Sequence, residues 1–197
     1  MDKQKHKHSN ISIFIPHMGC PNMCSFCNQR TISTTQSAPS PEQVGHTLEK
    51  AFAEISPSRL GNIEIAFFGG SFTAIDHGYM IALLETAYPF VKSGQAVGIR
   101  ISTRPDCIDK DVLDILKRYG VTAVELGAQS MDDEVLAANN RGHTAEDVCR
   151  ASVLIKEYEF ELGLQMMTGL YRSTPEKDIE TARRITALSP ATVRIYP

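Results

Sequence analysis

Ile11-Ser-Ile-Phe-Ile15 and, five residues on, Cys20-Pro-Asn-Met-Cys24-Ser-Phe-Cys27 form a short apolar run that feeds a loop holding three cysteines within eight residues. The loop brings three thiolates to one point and offers no obvious fourth. A structural zinc site closes with four protein ligands, and a cubane iron–sulfur cluster is usually held by four cysteines. Three thiolates leave one metal position free, and an open position is where a metal centre does chemistry. Cys20, Cys24 and Cys27 are therefore the candidate metal ligands. On the residues alone a second reading stays open, a structural zinc with His17 completing a Cys3His set.

Outward from that loop, strand-like and helix-like segments alternate to the end of the chain. The apolar, β-branched runs are Ile11–Ile15, Ile63–Phe68, Val97–Ile101, Val121–Leu126, Leu162–Met167 and Thr192–Tyr196. Their near-continuous apolarity predicts strands covered on both faces, as in a parallel sheet. Between them, Val44, Leu48, Ala51, Phe52 and Ile55 fall on one helical stripe. Ser40 is placed to cap that helix, Pro41 suits its first position and Gln43 can complete a capping box. Asp109 introduces a stripe that Gly120 ends, Thr144 a second and Thr174-Pro175 a third. A further helix is expected over Tyr79 to Tyr88, stopping before Pro89, and a short one over Met131 to Ala138. Six strands with five main helices predict right-handed βα units. The expected fold is α/β, an open six-stranded partial TIM-type barrel of parallel strands, with a doubly wound sheet as the alternative. The last strand has no helix after it, which suggests that a C-terminal part is missing.

Composition sets limits. The 197 residues suffice for one sizeable core, and 42% hydrophobic with 22% charged residues is ordinary for a globular chain. Twenty basic against 23 acidic residues, a net charge of -3, exclude a broadly cationic nucleic-acid-binding surface. No apolar run approaches the roughly 20 residues of a membrane span. Residues 1–10 read as a disordered polar tail, with His6 and His8 solvated, and residues 11–197 as one domain. An odd cysteine count with three clustered fits a metal site in a reducing, cytoplasmic compartment. Cys107 and Cys149 stand apart and read as buried and inert. Arg183-Arg184 reads as a solvated helix face, and His46 and His143 as structural or exposed.

The remaining informative residues follow the strands: Gly69-Gly70-Ser71-Phe72, Ser102-Thr-Arg-Pro-Asp106, Glu125-Leu-Gly-Ala-Gln129-Ser130 and Gln165-Met-Met-Thr-Gly169. Barrels and open α/β sheets build their sites at that carboxyl-terminal edge, so these turns are expected to form one composite site.

Taken in this order, the cysteine loop with Phe26 before its last cysteine, Phe68-Gly-Gly-Ser-Phe72, Ser102–Asp106, Glu125–Ser130 and Asn140-Arg-Gly-His-Thr144 resemble the core of the radical S-adenosylmethionine (SAM) enzymes. The similarity is greatest to the branch of the Elongator catalytic subunit and oxygen-independent coproporphyrinogen dehydrogenase. The resemblance implies a 4Fe–4S cluster on Cys20, Cys24 and Cys27, with SAM chelating the fourth iron. It implies reductive cleavage of SAM to a 5′-deoxyadenosyl radical, with no catalytic residue assigned beyond the cluster ligands. It places Phe26 and Asn28 on the adenine side, Gly69 and Gly70 at the methionine ammonium and Arg141 at the SAM carboxylate. Ser71, Ser102, Gln129 and Gln165 take SAM's other polar groups, although Ser71 and Ser102 stand where the family often has carboxylates. Glu125 is expected to pair with a barrel arginine or lysine. The implied partners are a low-potential electron donor of flavodoxin or ferredoxin type and, in the Elongator branch, a tRNA uridine reached through a C-terminal part. The other branch would act on a propionate side chain. A metal- or SAM-binding module without turnover is the non-enzymatic alternative.

Overall fold

A computed structural model describes residues 9–16, 24–27, 37–56, 58 and 60–197. His6, His8, His17, Cys20 and Asn28, for which the sequence raised expectations, lie outside these residues. The order is β1 (Ser9–Ile15), α1 (Pro41–Glu54), β2 (Ile63–Gly69), α2 (His77–Lys92), β3 (Gly98–Thr103), α3 (Lys110–Arg118), β4 (Val121–Gln129), α4 (Asp133–Ala138), α5 (Ala145–Glu157), β5 (Glu161–Met167), α6 (Pro175–Ala187) and β6 (Thr192–Tyr196). Every neighbouring pair is parallel and the spatial order β1-β2-β3-β4-β5-β6 is that of the chain. A doubly wound sheet would reverse direction from its first strand, so sequential order decides for the curled, open half-barrel.

The helices start where local chemistry says they should. Ser40 Oγ accepts from the Gln43 amide at 3.2 Å while Gln43 Oε1 accepts from the Ser40 amide at 2.8 Å, a complete capping box. Thr144 and Asp147 form another, and Asp109, Asp132 and Thr174 cap three more helices. Several boundaries differ from expectation: Ser9 and Asn10, read as tail, open β1, α4 starts at Asp133 rather than Met131, and α2 starts at His77 rather than Tyr79. α2 runs through Pro89 to Lys92. The proline removes one amide near the helix end, and Phe90, stacked on Phe52 at 5.0 Å between ring centroids, packs against the core and offsets that loss.

The apolar core lies between the sheet's convex face and the helices. Ile63, Ile65, Phe67, Ile99, Ile101, Val124, Leu126, Leu162 and Leu164 point that way. The concave face corrects the expectation of strands apolar on both sides. Glu64, Arg100, Glu125 and Gln165 alternate with those core residues and point into the lumen. Arg100 donates through Nε to Glu64 at 2.7 Å, and through its two terminal nitrogens to Glu125 at 3.4 Å and Glu161 at 3.1 Å. Arg194 reaches the same Glu125 carboxylate at 2.9 Å. The lumen is thus a connected ionic network, in which each buried charge has a partner. Glu125 pairs with barrel arginines, as its position suggested.

Cys107 and Cys149 are half-buried rather than fully buried, with Cys149 packed on the core rim. Arg183 and Arg184 are both exposed, as a solvated helix face requires, and Arg184 also donates to the Met131 carbonyl.

Candidate active site

All the turns singled out above meet at the carboxyl ends of the strands, around one open cavity with about 570 Å³ of free space, its mouth included. Cys24, Phe26 and Cys27 form one wall, Gly69, Gly70 and Ser71 a second, and Ser102, Gln129, Arg141 and Gln165 the remainder.

The cysteine loop is held from a distance. Ser25 donates from its amide to the Asn139 carbonyl at 3.2 Å and from its hydroxyl to Asn139 Oδ1 at 2.7 Å. Asn139, buried at the end of α4, spends its amide nitrogen on the carbonyls of Val135 and Tyr171. This residue was not singled out from sequence; the one signal was an asparagine beside the Asn-Arg-Gly-His stretch. Within the loop the Cys27 amide donates to the Cys24 carbonyl at 3.1 Å, which turns both side chains toward the cavity.

Arg141 is buried. It donates through Nη2 to the Gly127 carbonyl at 2.7 Å and lies with Nη1 3.5 Å from Cys24 Sγ. A Cβ on Gly127 would stand 2.7 Å from that Nη2, so glycine here makes room for the guanidinium. Just beyond, β4 carries a register shift between Gly127 and Gln129, and Gln129 adopts φ 64°. The irregularity re-aims Gln129 at the cavity, a common use of a bulge beside a site.

Some expected ligand contacts are already engaged. Ser71 is buried, its hydroxyl 2.9 Å from Thr103 Oγ1 and accepting from the Arg104 amide at 3.1 Å, so it braces the turns after β2 and β3. Gln165 donates to Glu125 at 2.8 Å. Gly69 has a structural reason of its own. At φ 118° its Cβ would fall 2.6 Å from the Ile15 carbonyl oxygen and 2.6 Å from the Phe14 ring. Gly69→Ala is expected to cost about 2 kcal/mol or more of stability, read as a lowered urea midpoint; an unchanged midpoint would refute the steric assignment. His143 is buried with Nε2 3.1 Å from the Ala128 carbonyl. Burial, and then the charge of Arg141, push its pKa down to about 4. It is neutral near pH 7 and serves as a prop rather than a proton carrier.

The residues present fit a cluster and a polar cofactor. Two thiols share the cavity, and three buried polar atoms in its wall, Arg104 Nη1, Gln129 Oε1 and Arg141 Nε, have no partner among the described residues. Buried polar atoms are rarely left so without a ligand or water.

Comparison with known proteins agrees with this geometry. A family model described as the radical SAM superfamily matches residues 14–185. The tRNA uridine(34) acetyltransferase of Dehalococcoides mccartyi is 26% identical over 221 residues, covering 95% of this chain and 48% of that protein. Human Elongator complex protein 3 is 31% identical over 177 residues, covering 79% of this chain and 30% of its own length. The chain thus spans half or less of these two curated relatives. Among solved structures, the archaeal Methanocaldococcus infernus Elp3 matches with a TM-score of 0.70 at 22% identity, covering 96% of this chain and 46% of that one. Coproporphyrinogen III oxidase (HemN) from Escherichia coli matches with a TM-score of 0.64 at 21% identity, covering 98% and 46%. The structural likenesses show the fold.

Proposed function

The chain belongs to the radical SAM superfamily, and from that premise we propose that it is the catalytic core of an enzyme that cleaves SAM reductively at a 4Fe–4S cluster and acts on a uridine of tRNA. Cys20, Cys24 and Cys27 hold the cluster, and the wall around Gly69, Gly70, Gln129 and Arg141 receives SAM. When bound, the pair supplies one-electron scission of SAM to methionine and a 5′-deoxyadenosyl radical, which takes a hydrogen atom from the substrate. A low-potential flavodoxin- or ferredoxin-type donor supplies the electron.

The protein's own part is placement and exclusion. Gln129 Oε1 and Arg141 Nε offer an acceptor and a donor to the zwitterionic end of SAM, and the guanidinium suits a carboxylate. Phe26 gives the adenine an apolar face. Below them, Ser12, Ser102, Arg194 and Glu125 line a second, polar recess in the lumen. That recess suits a substrate rich in hydrogen-bonding groups, as a nucleoside is. Among the described residues no helix is long and apolar enough to cross a membrane.

The observation that carries the reading is the convergence of Cys24, Cys27 and three unpartnered polar atoms on one cavity at the strand ends. Protein reconstituted anaerobically with iron and sulfide is expected to turn brown and, with dithionite and SAM, to release 5′-deoxyadenosine and methionine in equal amounts. Stoichiometric zinc without colour would reject it. Unfractionated tRNA is expected to raise turnover, and the absence of any response to tRNA would remove the substrate assignment alone.

A further inference from the structure

Arg104 stands in the Ser-Thr-Arg-Pro-Asp turn after β3. It lines the same cavity as Cys24 and Cys27 and is 1% exposed. Its amide is fixed by Ser71 Oγ, and its Nε and Nη2 donate to the two oxygens of Asp106 at 2.9 and 2.8 Å. This two-point grip locks the guanidinium plane. Its Nη1 is buried with no partner among the described residues.

The turn does not need that third nitrogen. Thr103 Oγ1 already meets both Ser71 and Thr73, and Thr73 donates to the Cys107 carbonyl at 2.7 Å, so the loops are braced without it. The acceptor must come from the cavity. The lumen carboxylate Glu125 is engaged by Arg100, Arg194 and Gln165. Among the described residues the cavity wall also carries the sulfurs of Cys24 and Cys27. Burial disfavours the charge on Arg104, and the two-point pairing with Asp106 offsets it. Arg141, from the opposite side, lies 3.5 Å from Cys24 Sγ. Two guanidiniums and the two cysteines thus line one cavity.

We propose that Arg104, aligned by Asp106, directs its free N–H at the sulfurs of the cluster and sets that cluster's reduction potential. The inference rests on the function proposed above. Gaining one electron makes a thiolate-ligated cluster more negative, so a nearby cation and an N–H donor to sulfur favour the reduced form and raise the potential. Arg104 acts through the cluster and is a positioning residue for electron entry. No bond is made or broken in this step, and the electron comes from the external donor.

The test is a redox titration of anaerobically reconstituted wild type, Arg104→Gln, Arg104→Met and Arg104→Lys, without SAM, with the reduced fraction followed by electron paramagnetic resonance. The neutral variants are expected to show a tenfold lower ratio of reduced to oxidised cluster at a given potential, about 59 mV for a one-electron couple. Lysine is expected to recover at least half of that shift. SAM affinity of the oxidised protein, measured by calorimetry, should stay within twofold of wild type. Unchanged potentials in a neutral variant that holds its cluster would overturn the proposal. So would a tenfold loss of SAM affinity at unchanged potential, which would assign Arg104 to the SAM carboxylate. Should both neutral variants fold but lose the cluster, a cluster retained by Arg104→Lys supports the cation, and loss in all three overturns it as a mere brace. Failure of wild type to assemble a 4Fe–4S cluster would instead refute the function proposed above.

Discussion

Cys24→Ala is expected to leave a folded protein that assembles no 4Fe–4S cluster and releases no 5′-deoxyadenosine above background. Cys24 is a small side chain at the cavity wall, and alanine keeps its apolar character, so the far-ultraviolet circular dichroism should match wild type. The chemistry, in contrast, has no substitute. With one thiolate gone, two remain on the loop, and the metal position left for SAM is no longer defined. Cys107→Ala is the control, because Cys107 lies on the turn beyond β3 and is expected to retain cluster and turnover. Iron and sulfide analysis of the two variants decides the matter. A Cys24→Ala protein with a full cluster and full SAM cleavage would remove the loop from the site.

Arg100→Leu is expected to cost about 3–5 kcal/mol of stability, the usual consequence of taking one partner from a buried ion pair. Arg100 is the hub of the lumen, and its side chain and those of Glu64 and Glu125 are at most 8% exposed. Glu125 keeps Arg194 and Gln165 when Arg100 is gone. Glu64 loses the closest of the Arg100 contacts, the 2.7 Å bond from Nε, whereas the bond to Glu125 that is lost is 3.4 Å long. Most of the loss should therefore trace to Glu64, and Arg100→Leu with Glu64→Leu should recover a large part of it. Urea denaturation of the single and double variants gives the coupling directly. A single variant within 1 kcal/mol of wild type would show that water reaches the pair, and a double variant no better than the single would show that charge is not the cause.

The order of elements was legible because it depends on short-range signals. Ser40 with Gln43, Asp109, and Thr144 with Asp147 each make their bonds within three residues, and each helix begins where its cap stands. The parallel sheet was read from near-continuous apolar runs and from their alternation with helical stripes. The polar lumen did not, because Glu64 and Arg100 are single charged residues inside apolar runs, and only closing the sheet brings them together across 36 positions of sequence. The helix through Pro89 was missed for a related reason: the local penalty of proline is visible in sequence, whereas the stacking of Phe90 on Phe52 is not. At the site, the cysteines announce themselves by spacing. Asn139 and Arg104 do not, since what they do depends on Ser25, 114 positions away, and on a cavity assembled from several turns. The resemblance singled out Arg141; its approach to Cys24 spans 117 positions and belongs to tertiary structure.

The register shift in β4 bears on how this chain may be aligned and altered. Upstream, every second residue, Ala123, Glu125 and Gly127, faces inward against its β5 partner; past the shift Gln129 is matched with Met166 rather than with Met167. Counting by twos from the base of the strand therefore assigns the wrong neighbour to its last residue. Deleting one position at Ala128 would restore an even ladder and swing Gln129 off its aim.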